Sequence, residues 1–262
     1  MSSAQHPFLE HDGFLAVAHR GGALESLENT MPAIQKAIDL GYRYIETDAQ
    51  ATRDSEILAF HDDTFDRLTN LSGPVGRWNY AAVCEARVEG REKILRLEDV
   101  LGTWPDLKVN VDIKDDAVVE PLITIVKRTK SLERICVGSF SGKRLARLRS
   151  VFGRALCSSM GSWEVTKLRA RGFGLPLGSF QANCVQVPIY HHGIKIVDRR
   201  FVQKATKLGL PVHVWTVNDT DTMSKLIDLG VRGIMTDRPS ELKRLLQARN
   251  LWSGGLKPPE KA

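Results

Sequence analysis

Eight short apolar runs, each rich in β-formers, restrict what this 262-residue chain can fold into more than any other feature. They are LAVAHR (15–20), RYIETD (43–48), KVNVDIK (108–114), ICVGSF (135–140), ALCSS (155–159), NCVQVP (183–188), VHVWTV (212–217) and GIMTD (233–237). Helix-like segments follow them at 116–130, 141–150, 161–171, 198–208, 219–229 and 238–248. An earlier helix opens at Thr30-Met31-Pro32, with Thr30 as its cap and Pro32 in its first turn, and closes at Gly41. Strand–helix alternation calls for a parallel sheet, because each helix carries the chain back to the same end. Eight such strands predict an α/β fold of the TIM (β/α)8 barrel type, which takes about 250 residues as one domain.

The run ILAFH (57–61) breaks the pattern. A parallel crossover needs a dozen or more residues, and too few separate this run from strand two. Residues 49–60 are therefore expected to form a β-hairpin projecting from strand two, with Asp54-Ser55 at its tip. That hairpin returns His61 to the carboxylates of strand two. Residues 62–106 become an excursion before strand three, at the barrel end where insertions shape an active-site mouth. The layout expected is a single domain over 1–250 and a flexible Gly/Pro-rich tail over 251–262.

The formal net charge is +6, but the basic residues are scattered. Their densest group, Lys143 to Arg149, reads as a solvated helix face. With no basic stripe interleaved with aromatics, no nucleic-acid partner is expected. No run approaches the ~18 apolar residues of a membrane span. The opening MSSAQHPFLEHDG lacks the basic-then-apolar layout of a secretory signal, so a cytoplasmic address is expected. None of the four cysteines is spaced as C-x-x-C, which gives no support to a local zinc or redox motif. Three of them lie in strand runs and read as small buried hydrophobes.

Alternation along the strands places polar groups together. In RYIETD, Glu46 and Asp48 share a face; in KVNVDIK, Asn110, Asp112 and Lys114 oppose Val109, Val111 and Ile113. The apolar face suits the helices, so the polar face lines the barrel. Three carboxylates on neighbouring strands need counter-charge. A hard divalent cation, Mg2+ or Ca2+, supplies it in one reading; internal ion pairs with Arg20 or Lys114 supply it in the other. His19 ends strand one and His61 ends the hairpin. Singly, each is more often structural than catalytic. As a pair beside an acidic cluster, they can serve as base and acid at neutral pH. Arg20 and Lys114 add fixed positive charge suited to a phosphate, and Gly21-Gly22 lets the chain turn sharply at the mouth. The adjacent His191-His192 reads as a solvated loop. The apolar stretch from Phe173 to Phe180 reads as a buried connector, with an acyl-chain or peripheral membrane contact as the alternative.

These residues resemble the glycerophosphodiester phosphodiesterases. The resemblance rests on HRGG (19–22), ENT (28–30), IETDAQAT (45–52), FHDDTFDRLT (60–69), NVDIK (110–114), VGSF (137–140), VWTVND (214–219) and GIMTDRP (233–239), in that order along most of the chain. It implies a TIM barrel, a divalent cation and hydrolysis of a phosphodiester bearing a glycerol-like group. It implies that His19 and His61 are the acid/base pair and that Glu46, Asp48 and Asp112 are metal ligands. It further implies that Arg20 and Lys114 face the phosphate, that Trp215 touches the glycerol or lipid part, and that Glu28 and Asn29 support the first loop. The substrate implied is a small-molecule phosphodiester such as glycerophosphocholine, with lysophospholipids as the close rival and a non-catalytic anion-binding barrel as a further alternative. Asp112 stands where the family usually has glutamate, which shortens its reach by about 1.5 Å, roughly one C–C bond. Ser55 replaces a frequent hairpin glycine, with Asp54 expected to take the unusual backbone angles. A metal-dependent amidohydrolase would show His-x-His on strand one, whereas Arg20 follows the single His19 here.

Overall fold

The computed structural model describes residues 6–171 and 180–254. Residues 172–179 and 255–262, which include most of the apolar stretch and most of the expected tail, lie outside the described residues. All eight expected strands are present: β1 (Leu15–His19), β2 (Tyr44–Ala51), β3 (Lys108–Ile113), β4 (Ile135–Gly138), β5 (Cys157–Ser158), β6 (Val185–Val187), β7 (Val212–Val214) and β8 (Gly233–Thr236). Each pairs in parallel with its neighbour in chain order, and β8 pairs with β1, Leu15 opposite Gly233. The remaining two edges, β5 and β6, meet through a parallel Ser159–Cys184 bridge, with Met160 N donating to Cys184 O and Asn183 N to Ser158 O. The eight strands thus curl into a barrel whose last two edges meet at that bridge.

The pleat sorts the side chains. Val109, Val111 and Ile113 of β3 are fully buried beneath the surrounding helices, together with Ile45, Val185, Val212 and Ile234. Burying a Val or Ile side chain contributes about 1.5–3 kcal/mol, so this outer layer is the main source of stability. The alternate residues point inward. Leu15, Val17, Tyr44, Cys136, Cys157, Cys184 and Met235 fill the N-terminal half of the barrel, closed from below by Phe8 and Leu9. Helices start where their caps dictate: Thr30, Asp198 and Asp219 each accept a bond from a first-turn backbone N–H.

The strand at Ile57–Ala59 runs antiparallel to β2, Ala49 opposite Ala59, as the hairpin reading requires. At its tip the left-handed residue is Ser55, at φ +69°, and not Asp54. The Asp54 carboxylate is committed elsewhere, accepting bonds from Thr52 Oγ1 at 2.7 Å and from the Tyr80 N–H at 2.9 Å. Holding Asp54 between two donors passes the left-handed turn to the next residue.

Residues 62–106 build a small second core against Phe60 at the end of the hairpin, from Phe65, Val75, Val83, Val88 and Ile94. The helix Leu97–Thr103 instead joins the main core through Leu97, Val100 and Leu101. Phe65 is fully buried and its ring lies 5.2 Å from that of Phe60. Phe65→Ala is expected to cost about 3–5 kcal/mol, read as a fall in the urea midpoint. An unchanged midpoint would show that this small core adds nothing to the barrel's stability.

Candidate active site

The polar residues gather at the C-terminal mouth of the barrel, where the alternation of strands β1, β2 and β3 turns them inward. Glu46 sits opposite Asn110, and Asp48 opposite Asp112, in the β2–β3 register. The chain leaves β1 through Arg20, Gly21 and Gly22, all at positive φ. A Cβ on Gly21 would come within 2.9 Å of the Ala33 side chain, and one on Gly22 within 2.7 Å of the Pro239 ring. Only glycine allows this turn, which sets His19 and Arg20 side by side over the mouth.

His19 is held from both sides. Its Nδ1 lies 2.6 Å from Asp237 Oδ1, and its Nε2 3.5 Å from Glu46 Oε2. Burial alone would lower its pKa, but the Glu46 and Asp237 carboxylates outweigh burial and raise it. Asp237 is fixed in turn by Asn218, whose Nδ2 donates to Oδ2 at 2.8 Å while its Oδ1 accepts from the Asp237 N–H. His61 has the same arrangement in a more open place: its Nδ1 lies 2.7 Å from Asp62 Oδ1, and Arg67 Nε donates to Asp62 Oδ2 at 2.6 Å. The hairpin carries His61 back to strand two, where Gln50 Nε2 donates to the carbonyls of His61 and Asp62. A carboxylate accepts the Nδ1 proton in both cases, which leaves each Nε2 free for chemistry.

Arginine-linked carboxylates join the two histidines. Arg67 reaches from Asp62 to Glu28, and Arg20 from Glu28 (3.1 Å) to Asp48 (3.0 Å). Lys114 Nζ stands between Asp48 Oδ1 (2.9 Å) and Asp112 Oδ2 (2.6 Å). Asn29 accepts a bond from Thr47 Oγ1 at 2.8 Å and approaches Asp48 at 3.5 Å, so Glu28 and Asn29 brace this network. Burial would raise the Asp48 carboxyl, but Lys114 and Arg20 hold it below the usual range. Glu46 has no such cation in contact. Burial, and then Asp48 beside it, push its carboxyl up to about 8, and its Oε2 is buried without a hydrogen-bond partner.

The structure therefore unites His19, Arg20, Glu28, Asn29, Glu46, Asp48, His61, Asp112 and Lys114. Trp215, at the end of β7, packs edge-on against Phe140 with ring centroids 5.9 Å apart. Phe140 also stacks on His191 of the exposed ribbon Tyr190–His191 and Ile194–Lys195. Both of the alternatives for the carboxylates leave a trace here. Ion pairs neutralise Asp48 and Asp112, whereas Glu46 keeps an unpartnered oxygen. Among the described residues, the three carboxylates do not converge to within 4.8 Å of one another as the thiols of Cys136, Cys157 and Cys184 do. Lys114 occupies the space between two of them. Asp237, Asn218, Asp62 and Arg67 were not identified from the sequence, although the GIMTDRP and FHDDTFDRLT segments contain three of them and VWTVND the fourth.

One consequence is an acid-sensitive strut. Arg67, and to a lesser degree His61, hold the Asp62 carboxyl down to about 2, against partial burial that would raise it. A carboxyl with a depressed folded pKa binds fewer protons when folded. Its contribution is complete above the unfolded value of 3.8 and is lost as pH falls through about 2. Asp62→Asn should flatten the decline in unfolding midpoint between about pH 5 and pH 2; parallel curves for both proteins would refute the strut.

Comparison with known proteins agrees with this geometry. A sequence model of the Glycerophosphoryl diester phosphodiesterase family matches residues 19–241. The chain is 37% identical over 253 residues to a probable glycerophosphodiester phosphodiesterase 2 of Mycobacterium tuberculosis, covering 94% of this chain and 96% of that one. It is 27% identical to a lysophospholipase D of Rattus norvegicus, over 88% and 85% of the two chains. Among solved structures, a putative glycerophosphoryl diester phosphodiesterase from Silicibacter pomeroyi superposes with a TM-score of 0.77 at 19% identity, over 94% of this chain and 99% of that one. An Oleispira antarctica phosphodiesterase in complex with the product sn-glycerol-3-phosphate superposes with a TM-score of 0.74 at 16% identity, over 90% and 97%. The family match spans the barrel from the end of its first strand to its last helix and takes in every residue of the charged cluster, so this chain belongs to the glycerophosphoryl diester phosphodiesterase family.

Proposed function

We propose that this protein hydrolyses glycerophosphodiesters to glycerol 3-phosphate and an alcohol, with His19 and His61 as the acid/base pair. The observation that carries the reading is the pair of Asp-backed imidazoles, His19–Asp237 and His61–Asp62, flanking one carboxylate cluster at the barrel mouth. One Nε2 takes the proton of the nucleophile, either water or the glycerol 2-hydroxyl in a route through a cyclic phosphate that water then opens; the other gives a proton to the departing alcohol oxygen. Arg20 and Lys114 bind phosphate oxygens, to which Lys114 turns from its two carboxylates.

With Lys114 turned to the phosphate from its place between Asp48 and Asp112, the carboxylates of Glu46, Asp48 and Asp112 suit a hard divalent cation, Mg2+ or Ca2+. Their oxygens are hard donors, and one of them, Glu46 Oε2, is buried without a hydrogen-bond partner. Glu46, Asp48 and Asp112 would hold that ion, which when bound supplies Lewis-acid polarisation of the phosphate. Gly138 leaves room beside this set: a Cβ there would meet Asp112 Oδ1 at 3.8 Å and Gln186 Oε1 at 3.4 Å.

A panel of glycerophosphodiesters and lysophospholipids, offered with Mg2+, Ca2+ or chelator, tests the proposal. Release of free choline with glycerol 3-phosphate from glycerophosphocholine is expected. Phosphocholine as product, or turnover indifferent to chelation, would overturn the bond assignment or the metal. A second reading, hydrolysis of lysophospholipids, is favoured by the exposed Phe140, Tyr190 and Ile194 near Trp215, a surface suited to an acyl chain. No described helix is long and apolar enough to cross a membrane, so such a substrate would be met by this rim and not by a spanning segment. Preference for lyso-substrates in the same panel would decide for it.

A further inference from the structure

Beneath the catalytic mouth, four consecutive barrel strands each turn one soft donor inward. Cys136 lies on β4, Cys157 on β5, Cys184 at the bridge that leads into β6, and His213 on β7. Cys136 and Cys157 are direct register partners across β4 and β5. The three thiol sulfurs lie within 4.8 Å of one another, and Cys136 Sγ is 3.8 Å from Cys184 Sγ. Tetrahedral zinc with Zn–S bonds of about 2.3 Å sets its sulfurs about 3.8 Å apart. All three side chains are wholly buried, and His213 is 1% exposed.

The histidine makes this more than an apolar plug. Both of its ring nitrogens are buried with no hydrogen-bond partner. A buried, unpaired imidazole costs free energy that a valine or leucine in its place would not. The chain also makes space for the ring: a Cβ on Gly233, the register partner of His213 on β8, would come within 2.8 Å of its Cδ2.

We propose that Cys136, Cys157 and Cys184, whose sulfurs alone lie within 4.8 Å of one another among the described residues, hold one thiophilic cation of the zinc class, and that His213, outside that cluster on the neighbouring strand, turns onto it as the fourth ligand, in a closed structural site separate from the oxygen-lined catalytic mouth. Three sulfurs and one imidazole nitrogen complete four-coordination and leave no open position for substrate, so the ion would hold the closing strands together. Zinc sequence motifs keep their ligands close in the chain; here the barrel wall supplies the spacing.

The test uses the full chain, refolded with Co2+ as a spectroscopic stand-in and separately with Zn2+. Strong thiolate-to-cobalt absorption and intense d–d bands are expected, with one zinc per chain retained through exchange against excess Mg2+. Cys184→Ala should abolish the thiolate bands, Glu46→Gln should keep them, and His213→Ala should shift the d–d bands by removing a nitrogen donor. A wild-type cobalt spectrum without thiolate bands would overturn the proposal without recourse to any variant. Bands that survive Cys184→Ala, d–d bands unmoved by His213→Ala, or a native mass two hydrogens low from a Cys136–Cys184 disulfide would overturn it as well.

Discussion

His19→Ala is expected to lower kcat by about 10²–10⁴-fold, the contribution of one positioned acid or base. Its Nδ1 is committed to Asp237 and its Nε2 faces Glu46, so in the proposed mechanism its loss removes one of the two imidazoles that exchange a proton with the reacting oxygens. Asp237→Asn separates positioning from chemistry. An amide at Asp237 presents either an oxygen or an NH2 to Nδ1 and can settle the wrong tautomer, so kcat should fall while KM for the diester changes little. The limb of the pH profile set by His19 should also move to lower pH, because one of the two carboxylates that raise the His19 pKa is gone. Single-turnover measurements on both variants check this. A His19→Ala protein with wild-type turnover would refute the acid/base assignment; an Asp237→Asn protein with an unchanged pH profile would reduce Asp237 to a structural brace.

Glu46→Gln and Asp48→Asn should each lose about 10²–10³-fold in rate, the usual loss on removing one electrostatic contact at a charged transition state. The two should differ in what else they disturb. Glu46 pairs with no arginine or lysine, and burial holds its carboxyl up at about 8, so the amide is close in charge to the protonated acid and the fold should tolerate it. Asp48 is paired with both Arg20 and Lys114, and its loss leaves two half-buried cations each short of one partner. Asp48→Asn should therefore lower thermal stability as well as activity, whereas Glu46→Gln should lower activity alone. Titration with Mg2+ or Ca2+ before and after each change measures the metal contribution. Equal metal affinity in wild type and both variants would remove Glu46 and Asp48 from the ligand set.

Much of the fold was legible because strand and helix periods are local. The inward pairing of Glu46 with Asp48, and of Asn110 with Asp112, follows from a period of two, and the barrel keeps it. The hairpin could be read because a parallel crossover is impossible in so short a segment, and it does return His61 to Asp48, whose carbonyl accepts from the Phe60 N–H. The partners that finish the site were not legible. Asp237 lies 218 residues from His19, and nothing in the local pattern of GIMTD says which imidazole its carboxylate will meet. Asp62 adjoins His61 in sequence, but only the turn after the hairpin bends it onto Nδ1. Ser55 took the left-handed turn because Tyr80, far along the chain, claimed Asp54.

By itself, the amino-acid sequence determined which residues alternate toward the barrel interior, where each helix begins, and that a base, a cation and a cluster of carboxylates stand at strand ends. These are consequences of backbone period and capping, which act over a few residues. Tertiary structure alone decided that Lys114 would stand between Asp48 and Asp112, that Glu46 would keep an oxygen without a hydrogen-bond partner, and that three cysteines from distant parts of the chain would bring their sulfurs together. Such meetings depend on the stagger of neighbouring strands around a closed wall, and that stagger is fixed by pairing between segments far apart in the chain.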